Sequence, residues 1–120
     1  MISNSFTHLA SSSSDRCITQ SEVILKLELE INTINCEIFT ASLELEAAQV
    51  LAEKAIAFSS DFKNDAQRKA ALGSKLQGEI FLNRRRAIAN LRFKKAHIEA
   101  QLGAAIRLFE IDLAQLKAKT

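Results

Sequence analysis

Four arginines and two lysines lie within twelve residues in the second half of the chain, with no acidic residue between Glu79 and Glu99. Guanidinium and ammonium groups donate charge-assisted hydrogen bonds to phosphate oxygens, so such a cluster can hold a polyanion. At about 100° per residue on a helix, the six side chains point to several faces and form a collar around it. This basic cluster comprises Arg84, Arg85, Arg86, Arg92, Lys94 and Lys95.

Three interpretations of the basic cluster are open, because the formal net charge of +2 conceals two oppositely charged halves. Residues 21–60 hold seven Glu and two Lys, whereas residues 61–120 hold thirteen Lys and Arg and six Asp and Glu. The basic half can pair with the acidic half within one chain and fix their register. It can bind the phosphates of DNA or RNA, or it can dock on an acidic protein surface.

The residues needed for enzymatic chemistry are missing. The chain has no glycine-rich phosphate-binding loop and no recognisable nucleophile motif. Acidic pairs such as Glu28 and Glu30 are two residues apart, so on a helix they point in different directions. Cys17 and Cys36 are nineteen positions apart and have no partner Cys or paired His nearby, so their spacing does not match a four-ligand zinc site. We therefore expect no enzyme, no metal, no cofactor and no small-molecule substrate.

The cysteines and the N-terminus indicate a reduced, cytoplasmic protein. We expect Cys36 to be a buried thiol that packs as a small apolar residue, and Cys17 to be exposed. Residues 1–18 are polar and Ser-rich and lack the features of a secretory signal, so we interpret them as a flexible arm preceding one domain over residues 19–120. No apolar run is long enough to span a membrane, and a basic helix without Trp on its apolar face is poorly suited to a membrane surface.

Spacings of three and four predict two long helices and a short connecting one, an all-α fold. The first, about residues 20–59, begins at the capping pattern of Thr19 and Glu22. The short helix covers about 65–72, with Asn64 as its N-cap and Gly73 just after its end. The third covers about 75–118, begins at the capping pattern of Ser74 and Gln77, and carries an apolar face that includes Phe81, Ile88, Leu91 and Ile98. Because the long helices are similar in length, we expect an antiparallel, coiled-coil-like hairpin. The apolar ladder of the first helix is Ile24, Leu27, Ile31, Ile34, Ile38, Ala41, Leu45, Ala48, Ala52 and Ala55.

The first helix also carries a second row of apolar residues, which one hairpin seam cannot bury. Monomers rarely leave a long apolar strip in water, so we expect self-association, most simply a dimer that forms a four-helix bundle. In the alternative, the short middle helix covers part of the strip through Leu72 and Ala70. This apolar strip comprises Leu25, Leu29, Cys36, Phe39, Leu43 and Val50.

The connection Lys63–Leu72 reads KNDAQRKAAL and lies between the two long helices. It resembles segments in small helical proteins encoded in phage and prophage early or recombination modules. This resemblance implies an accessory role around single-stranded DNA handling or phage–host conflict and assigns no catalytic residue. We therefore expect a non-enzymatic binding protein that uses the basic cluster on a nucleic acid. The alternative is a protein–protein adaptor or inhibitor, such as an anti-defence protein or an assembly subunit, that binds no nucleic acid.

Overall fold

The computed structural model describes residues 13–119, and all its regular structure is helical. The three helices are α1 (Ser13–Ala57), α2 (Asp65–Leu76) and α3 (Glu79–Ala118), and no strand occurs in this part of the chain. The predicted all-α, hairpin-like fold with two long helices and a short connecting one is therefore confirmed. No described helix is long and apolar enough to cross a membrane.

The start of α1 differs from the prediction. The helix already includes Ser13, so the capping pattern at Thr19 and Glu22 lies inside it. Residues 13–18 of the predicted arm are thus helical, and the remainder of that arm lies outside the described residues. The Ser13 hydroxyl is buried and accepts hydrogen bonds from Arg16 Nη2 at 3.1 Å and from Lys119 Nζ at 3.3 Å. These contacts explain why helical structure begins before the predicted cap.

The described part of the first compact unit consists of residues 13–33 and 95–119. Here the first half of α1 lies antiparallel to the end of α3, because Ser13 contacts Lys119 and Gln20 contacts Asp112. The Asp112 carboxylate accepts a hydrogen bond from Gln20 Nε2 and lies 3.8 Å from Arg16 Nε. This polar contact, in a seam otherwise lined by apolar residues, favours one register of the two helices.

The second compact unit, residues 34–94, contains the rest of α1, all of α2 and the first part of α3. Its buried residues are Ile34, Ala52, Ile56, Phe81 and Ile88. The predicted α1 ladder is confirmed except at its last position, because Ala55 is exposed and Ile56 is buried instead. Ala52 and Ile56 are four residues apart, so they share a face of the helix.

The connection between α2 and α3 lies four residues later than predicted. Gly73 is inside α2 without a positive φ, so it does not end the helix, and Ser74 and Gln77 do not cap the next one. The chain turns instead at Gly78, whose backbone N–H donates to Lys75 O at 3.0 Å. A Cβ at Gly78 would lie 3.0 Å from that same oxygen, so glycine fits this turn best.

The start of α2 is the one predicted. Asn64 Oδ1 accepts a hydrogen bond from Gln67 N at 2.9 Å, and Gln67 Oε1 accepts one from Lys63 N at 2.7 Å. These two bonds satisfy backbone N–H groups that a helix N-terminus otherwise leaves without partners. Arg68 is half-buried, and its guanidinium donates hydrogen bonds to Asp65 Oδ1 at 3.2 Å and to Phe62 O at 3.4 Å.

The two cysteines are placed opposite to expectation. Cys17 is buried, and Cys36 is exposed. Cys17 is buried because α1 begins early enough to include it in the paired part of the first unit. Cys36 follows the buried Ile34 by two residues, which on a helix is more than half a turn away from the buried face.

Candidate functional site

The basic cluster lies on α3, whose buried face is formed by the predicted apolar residues. Phe81, Ile88 and Ile98 are buried, and the intervening Leu91 is half-buried. Because the apolar positions recur at three- and four-residue spacings, the residues between them are directed outward. Arg84 through Lys94 belong to the second compact unit, and Lys95 is the first α3 residue of the other unit.

The six cluster residues differ in exposure. Arg84, Arg86, Arg92 and Lys94 are exposed, whereas Arg85 and Lys95 are half-buried. The two half-buried residues are close to the apolar face, where a long aliphatic stem can pack while the charged end stays in water. The predicted cluster therefore consists of four exposed cations and two that border the core.

Arg85 has a partner within the fold. Its Nη2 atom donates a hydrogen bond of 2.7 Å to the backbone oxygen of Leu76, the last residue of α2. The last four carbonyl groups of a helix have no partner inside the helix and carry partial negative charge. The Arg85 guanidinium therefore holds the end of α2 against the beginning of α3. The sequence prediction had grouped Arg85 with the residues expected to bind an external ligand.

The other five cluster residues have no such partner. Within residues 13–119, no carboxylate oxygen lies within 4.0 Å of a nitrogen of Arg84, Arg86, Arg92, Lys94 or Lys95, and none of the five makes a hydrogen bond. The described structure therefore contains no direct contact that would support the interpretation that these cations pair with the acidic first helix. An ion pair that joins α1 to α3 has its charges arranged the other way, because the basic residue, Arg16, is on α1 and the acidic residue, Asp112, is on α3.

An exposed aromatic residue, which the predicted site did not include, lies next to these cations. Phe93 is 80% exposed on α3 and directly precedes Lys94. The positional signal was present, since Phe93 lies seven residues after Arg86 and therefore on the same helical face. Phe81, the other aromatic residue near the cluster, is buried and belongs to the core.

The apolar strip on α1 remains uncovered. Leu25 and Leu29 in the first unit are each 57% exposed, and in the second unit Phe39 is 65%, Leu43 49% and Val50 41% exposed. The alternative that α2 covers part of the strip is therefore wrong. Leu72 of α2 is half-buried and faces the end of α1 in another place.

That place is an open cleft of about 580 Å³ in the second unit, between the end of α1 and α2. Ile56, Ala57 and Leu72 contribute its apolar part, and Glu53 and Arg68 are among its charged residues. The cleft residues include no His, Cys, Ser or Thr, so no nucleophile or metal ligand of those types faces it. Among residues 13–119 there is also no group of three or more His, Cys, Asp or Glu residues that could hold a metal ion.

Comparison with known proteins provides no relative from which a role can be transferred. No protein-family model matches the chain, and no curated protein and no solved structure matches it. The fold and the arrangement of charged and apolar surfaces therefore carry the functional conclusions.

Proposed function

We propose that the protein is a non-enzymatic helical binding protein whose basic cluster on α3 binds the phosphates of a nucleic acid. The observation that carries this proposal is that five of the six cluster cations have no hydrogen bond or ion pair within the described structure, and four of them are exposed. Cations that do not stabilise the fold are free to neutralise an external polyanion. An accessory role in a phage-type module is consistent with this proposal and stays a prediction.

The chemistry of the cluster favours phosphate over a protein carboxylate as the main ligand. Three of the four exposed cations are arginines, whose planar guanidinium presents a fork of donors that matches phosphate oxygens. From Arg84 to Lys94 the helix rises about 15 Å, a length along which one strand of a duplex presents about four phosphates. A regularly charged backbone can therefore engage several of these cations together.

Salt dependence of binding tests this proposal. If each of the five unpartnered cations neutralises one phosphate, log K for a single strand falls with log salt at a slope of about −3.5, which is roughly a 100-fold loss from about 50 to 200 mM salt. Replacing Arg84 and Arg86 by Gln removes two contacts and lowers the slope to about −2. Fluorescence anisotropy with a labelled oligonucleotide measures both values.

The matched control is the double variant Lys63→Gln/Lys69→Gln, which removes the same charge from exposed positions outside the cluster. Its slope should stay close to that of the unaltered protein. Equal slopes for the cluster variant and the control would refute the assignment of the cluster, and the absence of salt-sensitive binding would refute the proposed function. The adaptor or inhibitor function would then be favoured.

We further infer that the apolar strip on α1 binds a second copy of the chain. Within the second unit, three members of the strip, Phe39, Leu43 and Val50, are 65%, 49% and 41% exposed, and monomers rarely leave such an apolar face in water. Contact with a second copy of the chain would remove this face from water on both copies. The strip is flanked by Glu28, Glu44 and Glu46, so two copies of α1 bring like charges together, and added salt should strengthen their association.

The exposed Cys36 thiol, which lies within the strip, reports on this association. Its rate of modification by a thiol reagent should fall as protein concentration rises, while the buried Cys17 reacts slowly throughout. Phe39→Glu should keep Cys36 reactive at all concentrations and leave a 13.3 kDa monomer in sedimentation. Phe58→Glu, at an exposed position outside the strip, is the control. A monomer with concentration-independent reactivity would refute self-association and leave the strip to a different partner protein.

A further inference from the structure

The outward face of α3 combines cations with a single exposed aromatic ring. Arg86, Asn90, Phe93 and Lys94 are spaced at i, i+4, i+7 and i+8, which places them on one side of a helix. All four are exposed, and all belong to the second compact unit. Phe93 thus has a positively charged residue on each side along the helix, with Arg86 two turns before it and Lys94 directly after it.

The exposure of Phe93 is not part of an apolar surface. At 80% it is among the most exposed large apolar residues, yet the residues four and three positions before it are the small Ala89 and the polar Asn90, and the other residues near it on this side are Arg86 and Lys94. A face that docks on another protein helix usually repeats apolar residues at three- and four-residue spacings, as α3 does on its buried side. An isolated aromatic ring between cations instead has the composition of a surface that stacks a nucleobase while its neighbours hold phosphates.

We propose that Phe93 is a base-stacking residue and that the preferred ligand of this face is a single-stranded nucleic acid. This inference rests on the proposed function, because Arg86 and Lys94 must hold the backbone for a base to reach the ring. In a duplex each base is already stacked and paired, so its face is not available to Phe93. A single strand exposes the face of every base, and stacking is therefore tolerant of sequence. The Asn90 amide, one turn before the ring, has both a donor and an acceptor for the edge of a stacked base.

The decisive variant is Phe93→Leu, which keeps an apolar side chain and removes the aromatic ring. We expect it to weaken binding of an oligothymidylate of about 20 nucleotides by roughly 10-fold, as loss of one base–aromatic contact requires. Affinity for inorganic polyphosphate, a polyanion without bases, should stay unchanged. The preference of the unaltered protein for a single strand over a duplex should also decrease in the variant.

The matched control is Phe58→Leu, since Phe58 is 87% exposed but lies outside the cluster, just after α1. It should bind both ligands as the unaltered protein does. The outcomes separate the two proposals. If oligothymidylate binding depends on salt and on Arg84 and Arg86 but not on Phe93, the stacking inference is wrong and the proposed function stands.

An equal loss of polyphosphate binding in Phe93→Leu would also overturn the inference, because the ring would then act through the fold or through assembly. Sedimentation of Phe93→Leu identifies the second case as a change in oligomeric state. If the unaltered protein binds neither ligand, both the stacking inference and the proposed function are wrong.

Discussion

Arg85 and Arg86 are adjacent members of the basic cluster, and their substitution should have opposite effects on stability and binding. In Arg85→Gln the backbone oxygen of Leu76 loses the 2.7 Å hydrogen bond from the guanidinium. A hydrogen bond to a charged group contributes about 1.5–3 kcal/mol, and partial exposure of Arg85 favours the lower end. With a urea m value of about 2 kcal/mol/M, a loss of about 1.5 kcal/mol lowers the unfolding midpoint by about 0.8 M.

Urea unfolding followed by circular dichroism measures this shift, with Arg86→Gln as the matched control. Arg86 is exposed and its side chain makes no hydrogen bond or ion pair in the described structure, so its substitution should change stability by less than about 0.5 kcal/mol. In oligonucleotide binding the order reverses, because Arg86 is available to a phosphate and Arg85 is occupied. Equal midpoints for the two variants would refute the assignment of Arg85 to the end of α2.

Further substitutions test the turn, the cap and the polar contact between the long helices. Gly73→Ala should stabilise the protein by about 0.5–1 kcal/mol, because the added Cβ meets nothing within 4 Å. Gly78→Ala should destabilise the protein, because its Cβ would lie 3.0 Å from a backbone oxygen. Thermal unfolding of the pair checks the signs, and a stabilising Gly78→Ala would contradict the described turn. Asn64→Ala should cost about 1 kcal/mol through loss of the α2 cap, with Asn64→Ser restoring most of it. Asp112→Ala should lower stability by about 1–3 kcal/mol, because the Gln20 amide loses its acceptor, and an unchanged urea midpoint would argue against that contact.

Sequence alone predicted the helices and the faces they bury. The three- and four-residue spacing of apolar residues determined that Ile34, Ile88 and Ile98 lie in the core, and the Asn64–Gln67 pattern located the start of α2. These features are local, because helical periodicity and capping depend on residues within one or two turns. The exposure of the α1 strip was predictable for the same reason.

The helix ends that sequence misplaced depend on contacts between distant segments. The early start of α1 goes with the contact of Ser13 with Lys119, and the late end of α2 goes with the hydrogen bond between Arg85 and Leu76. Gly73 is compatible with a helix that ends there and with a helix that continues, because glycine inside a helix costs only about 1 kcal/mol relative to alanine. Contacts made elsewhere in the fold therefore decide where the helix ends.

The residues of the basic cluster can likewise be read from the sequence. Which of them has a partner within the fold and which is exposed depends on the tertiary structure. Six cations in twelve residues make a strong local positive charge in any helical arrangement. Which of them faces a carbonyl at the end of α2, and which faces water beside Phe93, follows from the direction of each side chain relative to the buried face of α3. The charge of a side chain is determined by its residue type. Whether its hydrogen-bond donors remain available to a ligand depends on the neighbours that the fold places around it.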